Sequence, residues 1–277
     1  KFGVPCARQL RFYRRDTGEY LGSTDSSGRP ATSGDPHWAN VVSLLHFDET
    51  ATEDQTGRTW SLVGTQAIIR PGSAMHGPNG LRIDGRDSCI QTINPIQDST
   101  VNFTIEFFVR ISRYMMLTSS PAEYMLYNQG STGGYGFYGM ILSNAQLYLT
   151  LEGGSSAGPT GAATDISSWF PLNEFVHIAH TFNGTKHSIF VNGVEKISLN
   201  TTTGWKDPGQ PFSIGRGYLP SIPGETRGCE ADFDEFRITK GVARYTSDFT
   251  PPAQRFDDGV TGNSEIPVGS YEFVTEY

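Results

Sequence analysis

Two adjacent carboxylates, Asp234 and Glu235, stand in a stretch that otherwise has the pattern of a β-strand. Residues 233–238 mix β-favouring apolar residues with charged ones at short period, as half-buried strands do. Burying an unpaired charge is costly. We therefore expect Asp234 to meet a cation, which is either a bound metal ion or the side chain of an arginine or lysine.

The residue types that most often carry catalysis form no recognisable set elsewhere in the chain. His177 and His180 are three residues apart in a predicted strand, so their side chains point to opposite faces and suit no shared metal ion. Cys6, Cys89 and Cys229 lack metal-ligand spacing; two interpretations stay open, idle buried thiols and a Cys89–Cys229 disulfide. No serine or cysteine is paired with a base in a known motif. We predict no catalytic residues.

Composition and charge exclude several classes of partner. The chain has 277 residues and a net charge of −8, which argues against nucleic acid and against an anionic membrane surface. No apolar run is long enough to span a bilayer, and we recognise no signal peptide. The 32 glycines and 16 prolines suit many turns between short strands. A globular β protein without membrane insertion is expected.

Asn192-Gly193 is the strongest turn signal in the chain. It separates two alternating segments, Lys186–Val191 and residues 194–199. A type I′ hairpin turn needs positive φ at both central residues, and Asn-Gly tolerates this conformation. The pattern predicts a β-hairpin here.

Further short segments alternate in the same way, and no helix-period stretch of useful length interrupts them. Phe103–Ile111 is expected to be the longest buried strand, and Phe137–Ser143 and Gln146–Leu151 to form a hairpin. Residues 153–168 are glycine- and serine-rich and are predicted to form a flexible loop. The pattern as a whole predicts an all-β, two-sheet antiparallel sandwich.

The closing stretch FDEFRITKGVARYTSDFTPP resembles the end of the concanavalin A-like, laminin G-like jelly-roll domains of bacteriophage tail and receptor-binding proteins. Three other stretches resemble the same family in the expected order: residues 44–48 (LLHFD), 103–110 (FTIEFFVR) and 175–193 (FVHIAHTFNGTKHSIFVNG). The similarity covers residues 41–256, and it implies a jelly-roll sandwich whose last strand lies beside its first. Because this fold carries many activities, the resemblance says more about fold than about ligand.

The same resemblance implies a non-catalytic structural or adhesion protein on the tail or capsid surface of a virion. Its loops are expected to bind a host surface glycan or another virion protein. Phage fibre proteins are commonly trimers, so a homo-oligomer is implied as well. A decoration module without a ligand and a polysaccharide hydrolase are the two alternatives.

The family also implies a structural calcium ion. Acids at the positions of Asp48 and Asp234 often help to hold calcium in these domains, and Asp54 in the acidic loop adds a third carboxylate. Calcium takes six to eight oxygen ligands, which loop carbonyls supply readily. The alternative is that Asp48 caps a turn while Asp234 pairs with Arg237 or Lys240.

Glu230, Asp232 and Glu235 carry the hydrolase alternative. They match the E-x-D-x-x-E spacing of retaining β-glucanases, in which one carboxylate attacks and another donates a proton. Against it, Asp234 stands where that family has an apolar residue, and the acids lie in the closing strand rather than in mid-domain.

Loop aromatics are the predicted ligand-binding residues. Trp205, Tyr135 and Tyr218 lie in predicted loops, where exposed aromatic faces stack on sugar rings. Trp169, by contrast, precedes the hairpin at the family's core position, and the resemblance implies that it packs in the core.

Strand patterns at both ends of the chain predict a second, smaller unit. Residues 7–22 have the pattern of a hairpin, and residues 268–275 alternate as a strand. We therefore expect residues 1–35 and 258–277 to form one small β module, with the sandwich of residues 36–257 inserted between them.

Overall fold

Strands account for nearly all the regular structure in the described part of the chain. The computed structural model describes residues 11–14, 20–23, 34–85, 88–96, 100–113, 124–129, 137–143, 146–151, 160–202, 204, 210–217, 227–258 and 271–274. The helical segments among these residues are two 3-10 turns, Trp38–Asn40 and Pro71–Ser73, and neither is long enough to cross a membrane. The all-β prediction is confirmed.

The strands follow one another in chain order as β1 (Arg11–Arg14), β2 (Tyr20–Ser23), β3 (Val41–Leu45), β4 (Ser61–Val63), β5 (Ala67–Arg70), β6 (Gly80–Gly85), β7 (Cys89–Thr92), β8 (Phe103–Ile111), β9 (Tyr124–Gln129), β10 (Phe137–Ser143), β11 (Gln146–Leu151), β12 (Thr160–Asp165), β13 (Val176–Phe182), β14 (Lys186–Val191), β15 (Val194–Asn200), β16 (Phe212–Ile214), β17 (Arg216–Gly217), β18 (Arg227–Lys240) and β19 (Tyr271–Val274).

Two antiparallel sheets form the sandwich. One has the order β12-β11-β10-β9-β16-β7-β4, and the other β15-β14-β13-β8-β18-β6-β5, with β3 also paired to β18. Closing strand β18 lies antiparallel to opening strand β3, with Phe236 opposite Leu45, as the jelly-roll prediction required. The residues of the opening and closing strands are therefore brought side by side.

Aromatic side chains from both sheets fill the space between them. Phe107 and Phe236 of the larger sheet stack with ring centroids 5.1 Å apart, and Tyr127 stacks on Phe212 of the smaller sheet at 5.8 Å. All four are fully buried. Such rings contribute large apolar areas and favour the offset and edge-to-face contacts seen here.

The structure differs from the sequence-based expectation in two strands. Strand β12 forms within residues 153–168, which the composition predicted to be a loop; it pairs with β11 along its full length. Pairing to an available sheet edge outweighs weak intrinsic strand propensity. The longest strand is β18 with 14 residues, not β8 with nine.

The predicted hairpin turn at Asn192-Gly193 is confirmed, with φ of 48° and 79°. A Cβ at Gly193 would overlap the carbonyl oxygen of Phe249. We expect Gly193→Ala to lower the free energy of unfolding by more than the 1–2 kcal/mol or so that positive φ alone costs a residue with a Cβ. Urea denaturation measures this difference.

Gly57 provides the matched control. It also has positive φ, at 78°, but a Cβ there would meet no atom within 4 Å. Gly57→Ala should therefore show the φ cost alone. Equal losses in the two variants would mean that the contact with Phe249 does not require the glycine.

The two ends of the chain share a separate sheet. Strand β1 pairs with both β2 and β19, and Phe12 lies opposite Phe273. The chain divides into two compact units. One comprises residues 1–39 together with residues 256–277, and the other comprises residues 40–255. We retain as a proposal that the sandwich is inserted into a terminal β module.

Candidate functional site

A β-bulge in β18 shapes the acidic stretch. The pairing with β8 shifts register between Asp234 and Arg237, and Glu235 within the bulge has φ of 51°. Phe233 and Phe236 are three residues apart, yet both are fully buried in the core. In a regular strand they would face opposite sides, so the extra residue of the bulge allows both rings to reach the interior.

Backbone amides, rather than an arginine or lysine, hold the Asp234 carboxylate. Its Oδ2 accepts hydrogen bonds from the N–H groups of Met75 at 2.8 Å and His76 at 2.7 Å. Burial, the largest cause, and the neighbouring Glu235 carboxylate raise the pKa of Asp234 to about 8, although the two amide hydrogen bonds act to lower it. The alternative pairing with Arg237 is not what the structure shows, because Arg237 donates to Glu106 at 3.0 Å.

Asp48 lies close to the same segment. It follows Phe47, which lies two residues beyond the opening strand β3 and has φ of 62°, and its Oδ2 lies 2.6 Å from Nη1 of Arg255. A Cβ on Gly77 would overlap Oδ1 of Asp48, while the preceding residue donates to Asp234. The Asp48 carboxylate also contributes to raising the pKa of Asp234. The structure therefore brings these two predicted metal ligands together at residues 75–77.

Asp54, the third predicted ligand, has a different role in the contacts described. Its Oδ2 accepts hydrogen bonds from Ser43 Oγ at 2.5 Å and from Trp60 Nε1 at 3.0 Å, and its Oδ1 accepts one from the Thr56 amide. These bonds attach the acidic loop to β3. Within the described ranges, no group of three or more His, Cys, Asp or Glu side chains is placed to hold a metal ion.

A buried histidine–glutamate pair lies next to Asp234. His46 Nδ1 is 2.8 and 2.9 Å from the two carboxylate oxygens of Glu235, and both side chains are excluded from solvent. Sequence reasoning missed this pair. The sequence feature that could have indicated the pair is a histidine two residues before Asp48, in the segment that the family pattern places beside the closing strand.

The three acids of the hydrolase alternative each have a side-chain partner, which is an arginine for two of them and a histidine for the third. Glu230 pairs with Arg113 at 2.7 Å, and Asp232 with Arg110 at 2.8 Å. Glu235 is buried with its histidine partner. Each of the three carboxylates is therefore engaged by a side chain of the chain itself.

The outer face of the larger sheet carries a second buried ionic cluster, centred on Glu106. Its carboxylate accepts hydrogen bonds from Arg237 at 3.0 Å and from the Tyr245 hydroxyl at 2.8 Å, and His177 Nε2 lies at 3.3 Å. Burial alone would raise the pKa of Glu106, but Arg237, His177 and Arg244 hold it well below its usual range. The residues that carry the family resemblance at positions 103–110 and 237–249 therefore meet in one place.

The predicted ligand-binding aromatics Trp205, Tyr135 and Tyr218 lie outside the described residues. Trp169 is described, and it is half-buried against the core as predicted. Lys196 Nζ lies 4.6 Å above its ring centroid.

Comparison with known proteins agrees with this architecture. Residues 84–244, more than half of the chain, match the laminin G family model described as the concanavalin A-like lectin/glucanases superfamily. No curated protein matches the sequence.

Among solved structures, the chain resembles the binding domain of Paraclostridial Mosquitocidal Protein 1, with a TM-score of 0.55, 18% identity, and coverage of 75% of this chain and 50% of that one. It also resembles the binding domain of botulinum neurotoxin DC in complex with rat synaptotagmin II (TM-score 0.52, 14% identity, 81% and 51% covered). The same domain in complex with SialylT matches with a TM-score of 0.52 and 13% identity, over 81% of this chain and 50% of that one. The chain spans about half the length of these toxin domains. The likeness concerns the fold, and the phage assignment stays a prediction.

Proposed function

Because the chain belongs to the concanavalin A-like lectin/glucanases superfamily, we propose that its sandwich is a non-catalytic recognition domain that binds a host surface glycan. The observation that carries the proposal is the state of the three candidate catalytic acids. Glu230 and Asp232 each form an ion pair with an arginine, and Glu235 is fully buried against His46. Glycoside hydrolysis needs one carboxylate free to attack or activate water and another free to donate a proton, and these contacts oppose both roles.

The ligands of similar structures support binding as the role of the fold. One botulinum neurotoxin binding domain was solved with rat synaptotagmin II and the same domain with SialylT. The net charge of −8 does not favour an anionic partner such as nucleic acid.

The setting we propose is the tail or capsid surface of a virion, in a homo-oligomer expected to be a trimer. The support is the resemblance of the closing stretch, residues 233–252, to phage tail and receptor-binding domains. Another virion protein is then the second candidate ligand, and a decoration role without any ligand is the remaining outcome.

A glycan array probed with the full chain tests the proposed function. We expect retention on a defined subset of glycans, with no cleavage of those glycans on prolonged incubation. Glu230→Gln should behave like the parent chain in both assays. Cleavage that disappears in Glu230→Gln would overturn the non-catalytic assignment, and no retention on any glycan would overturn glycan binding.

We further propose a structural calcium ion at Asp48 and Asp234. The residues present fit a cation because the buried Asp234 carboxylate and the partly buried Asp48 carboxylate lie at the same segment. Burial, together with the Glu235 and Asp48 charges, raises the pKa of Asp234 to about 8. A divalent ion would favour both carboxylates, with backbone oxygens completing its shell. Its role would be to fasten the end of the opening strand to the closing strand. Arg255 already supplies one positive charge to Asp48.

Calcium is expected to stabilise the chain against heat. At tenfold excess over its dissociation constant, a ligand that binds only the folded state adds about 1.4 kcal/mol, or about 3–6 °C in Tm for a domain of this size. Asp234→Asn should abolish the increase. Thermal unfolding in calcium and in EGTA measures the difference.

Asp54→Asn provides the control for that experiment. Asp54 is bonded to Ser43 and Trp60, and among the described residues it forms no metal-binding group with the other two acids. Its variant should therefore lose stability in both buffers but keep the calcium response. An identical Tm for the parent chain in calcium and in EGTA would exclude the ion.

A further inference from the structure

Four neutral polar side chains form a row across the smaller sheet. Asn128 on β9 lies opposite Ser213 on β16, Ser213 lies opposite Gln91 on β7, and Gln91 lies opposite Ser61 on β4. The row therefore crosses four adjacent strands at one level of the ladder. Side chains at directly paired positions of neighbouring strands are on the same face of a sheet.

This row is on the outer face, away from the sandwich interior. Phe212 and Tyr127 stack on each other inside the core, and each directly precedes a member of the row. Ile90, which precedes Gln91, is also in the core. Because successive side chains of a strand alternate between faces, Asn128, Ser213 and Gln91 face outward.

Asn128 is the unusual member of the row. Its side chain is only 1% exposed, and its Nδ2 amide group has no hydrogen-bond partner. A buried donor without an acceptor costs the full desolvation of that group, and such groups are rare in folded proteins. The hydroxyl of Ser213, in contrast, donates to the Arg216 carbonyl at 2.6 Å.

Accessibility increases steadily along the row toward the edge of the sheet. Ser213 is 8% exposed, Gln91 is half-buried, and Ser61 on edge strand β4 is exposed. A ligand lying along the row would therefore contact solvent-accessible groups at β4, and it would reach the unsatisfied amide at β9 by displacing the atoms that cover it.

We propose that this row is a subsite for a neutral sugar chain, with the Asn128 amide donating to a sugar hydroxyl oxygen. Amide and hydroxyl side chains both donate and accept hydrogen bonds, as sugar hydroxyls do, and none of the four row residues carries a charge that would select an acidic sugar. The inference rests on the proposed function, since it locates the glycan of that proposal on the sheet face.

Asn128→Leu tests the subsite through two readouts with opposite signs. The probes are neutral hexasaccharides of glucose, galactose, mannose and N-acetylglucosamine, measured by calorimetry with the full chain. Replacing the unsatisfied amide by an apolar side chain of similar size should raise Tm by a few degrees, because a desolvation cost is removed. The same change should weaken binding of the retained sugar at least tenfold. Gln91→Ala should weaken binding without raising Tm.

Asn200→Leu is the matched control. Asn200 is exposed at the end of β15 in the other sheet, so its variant should bind like the parent chain. Parent-like binding by both Asn128→Leu and Gln91→Ala would overturn the subsite while leaving glycan binding intact. Absence of binding to these hexasaccharides by the parent chain would also overturn it, and only a further failure on the complete glycan array would overturn the proposed function.

Discussion

Replacing Glu106 with alanine is expected to lower the free energy of unfolding by about 3–5 kcal/mol, the usual cost of removing one partner from a buried ionic cluster. Glu106 is fully buried and accepts hydrogen bonds from Arg237 and Tyr245, with Arg244 at 3.6 Å. Without the carboxylate, two arginines lose their counter-charge in a site with little water. Urea denaturation monitored by intrinsic fluorescence measures the loss.

Two comparisons separate charge from contact in that experiment. Glu106→Gln keeps a hydrogen-bond acceptor but no charge, so its loss should be smaller than that of the alanine variant. Glu195→Ala removes the partner of Lys186 from an ion pair that is 31% exposed on the glutamate side, and such surface pairs contribute about 0–1 kcal/mol. A Glu106→Ala chain that is as stable as Glu195→Ala would contradict the role of the cluster in attaching residues 241–249 to the sheet.

Lowering the pH from 6.5 to 5 is expected to reduce the free energy of unfolding by about 2 kcal/mol through His180 alone, because this histidine stays neutral in the folded chain. His180 Nδ1 is 2.6 Å from the Tyr127 hydroxyl, and its Nε2 is 2.8 Å from Nδ1 of His187. All three side chains are fully buried. Burial, followed by the neighbouring His187, lowers the pKa of His180 well below its usual value.

The sign follows from which state takes up the proton. Below about pH 6.5 an unfolded histidine is protonated while the folded one stays neutral, so the contribution is complete above that pH and decreases as the pH falls. Asp234 acts in the opposite direction, because its folded pKa is raised to about 8 and the folded chain binds that proton more tightly. The measurement must therefore isolate the histidine.

A comparison with His180→Gln provides that isolation. Below pH 6.5, the unfolding free energy of the parent chain should decrease relative to that of this variant by about 1.4 kcal/mol for each pH unit. Parallel pH profiles for the two chains would show that His180 does not resist protonation in the folded state.

Several features of the fold were predictable from short-range pattern. Asn192-Gly193 defined a hairpin because its two residues tolerate the φ values that the turn requires, and the structure has them. The apolar residues of Phe103–Ile111 identified a buried strand. The pairing of β18 with β3 was expected only from resemblance, since no local pattern specifies which distant strand becomes a neighbour.

The candidate site was predictable only in part. Sequence reasoning selected Asp48 and Asp234, which the structure places at the same short segment. It did not find the amides of Met75 and His76, which are 159 and 158 residues away from the carboxylate that they bond. It also placed Asp54 with these acids, although the contacts of Asp54 are with Ser43, Thr56 and Trp60.

By itself, the amino-acid sequence determined the all-β class and the hairpin turn at Asn192-Gly193, because these depend on backbone preference. It also identified the acids that needed a partner, because burying an unpaired charge is costly. Tertiary structure decided which partner each acid received: Arg255 for Asp48, backbone amides for Asp234 and His46 for Glu235. It also decided the bulge that admits both Phe233 and Phe236 to the core. Such choices depend on where segments far apart in the chain meet when two sheets pack, and local pattern carries no information about that distance.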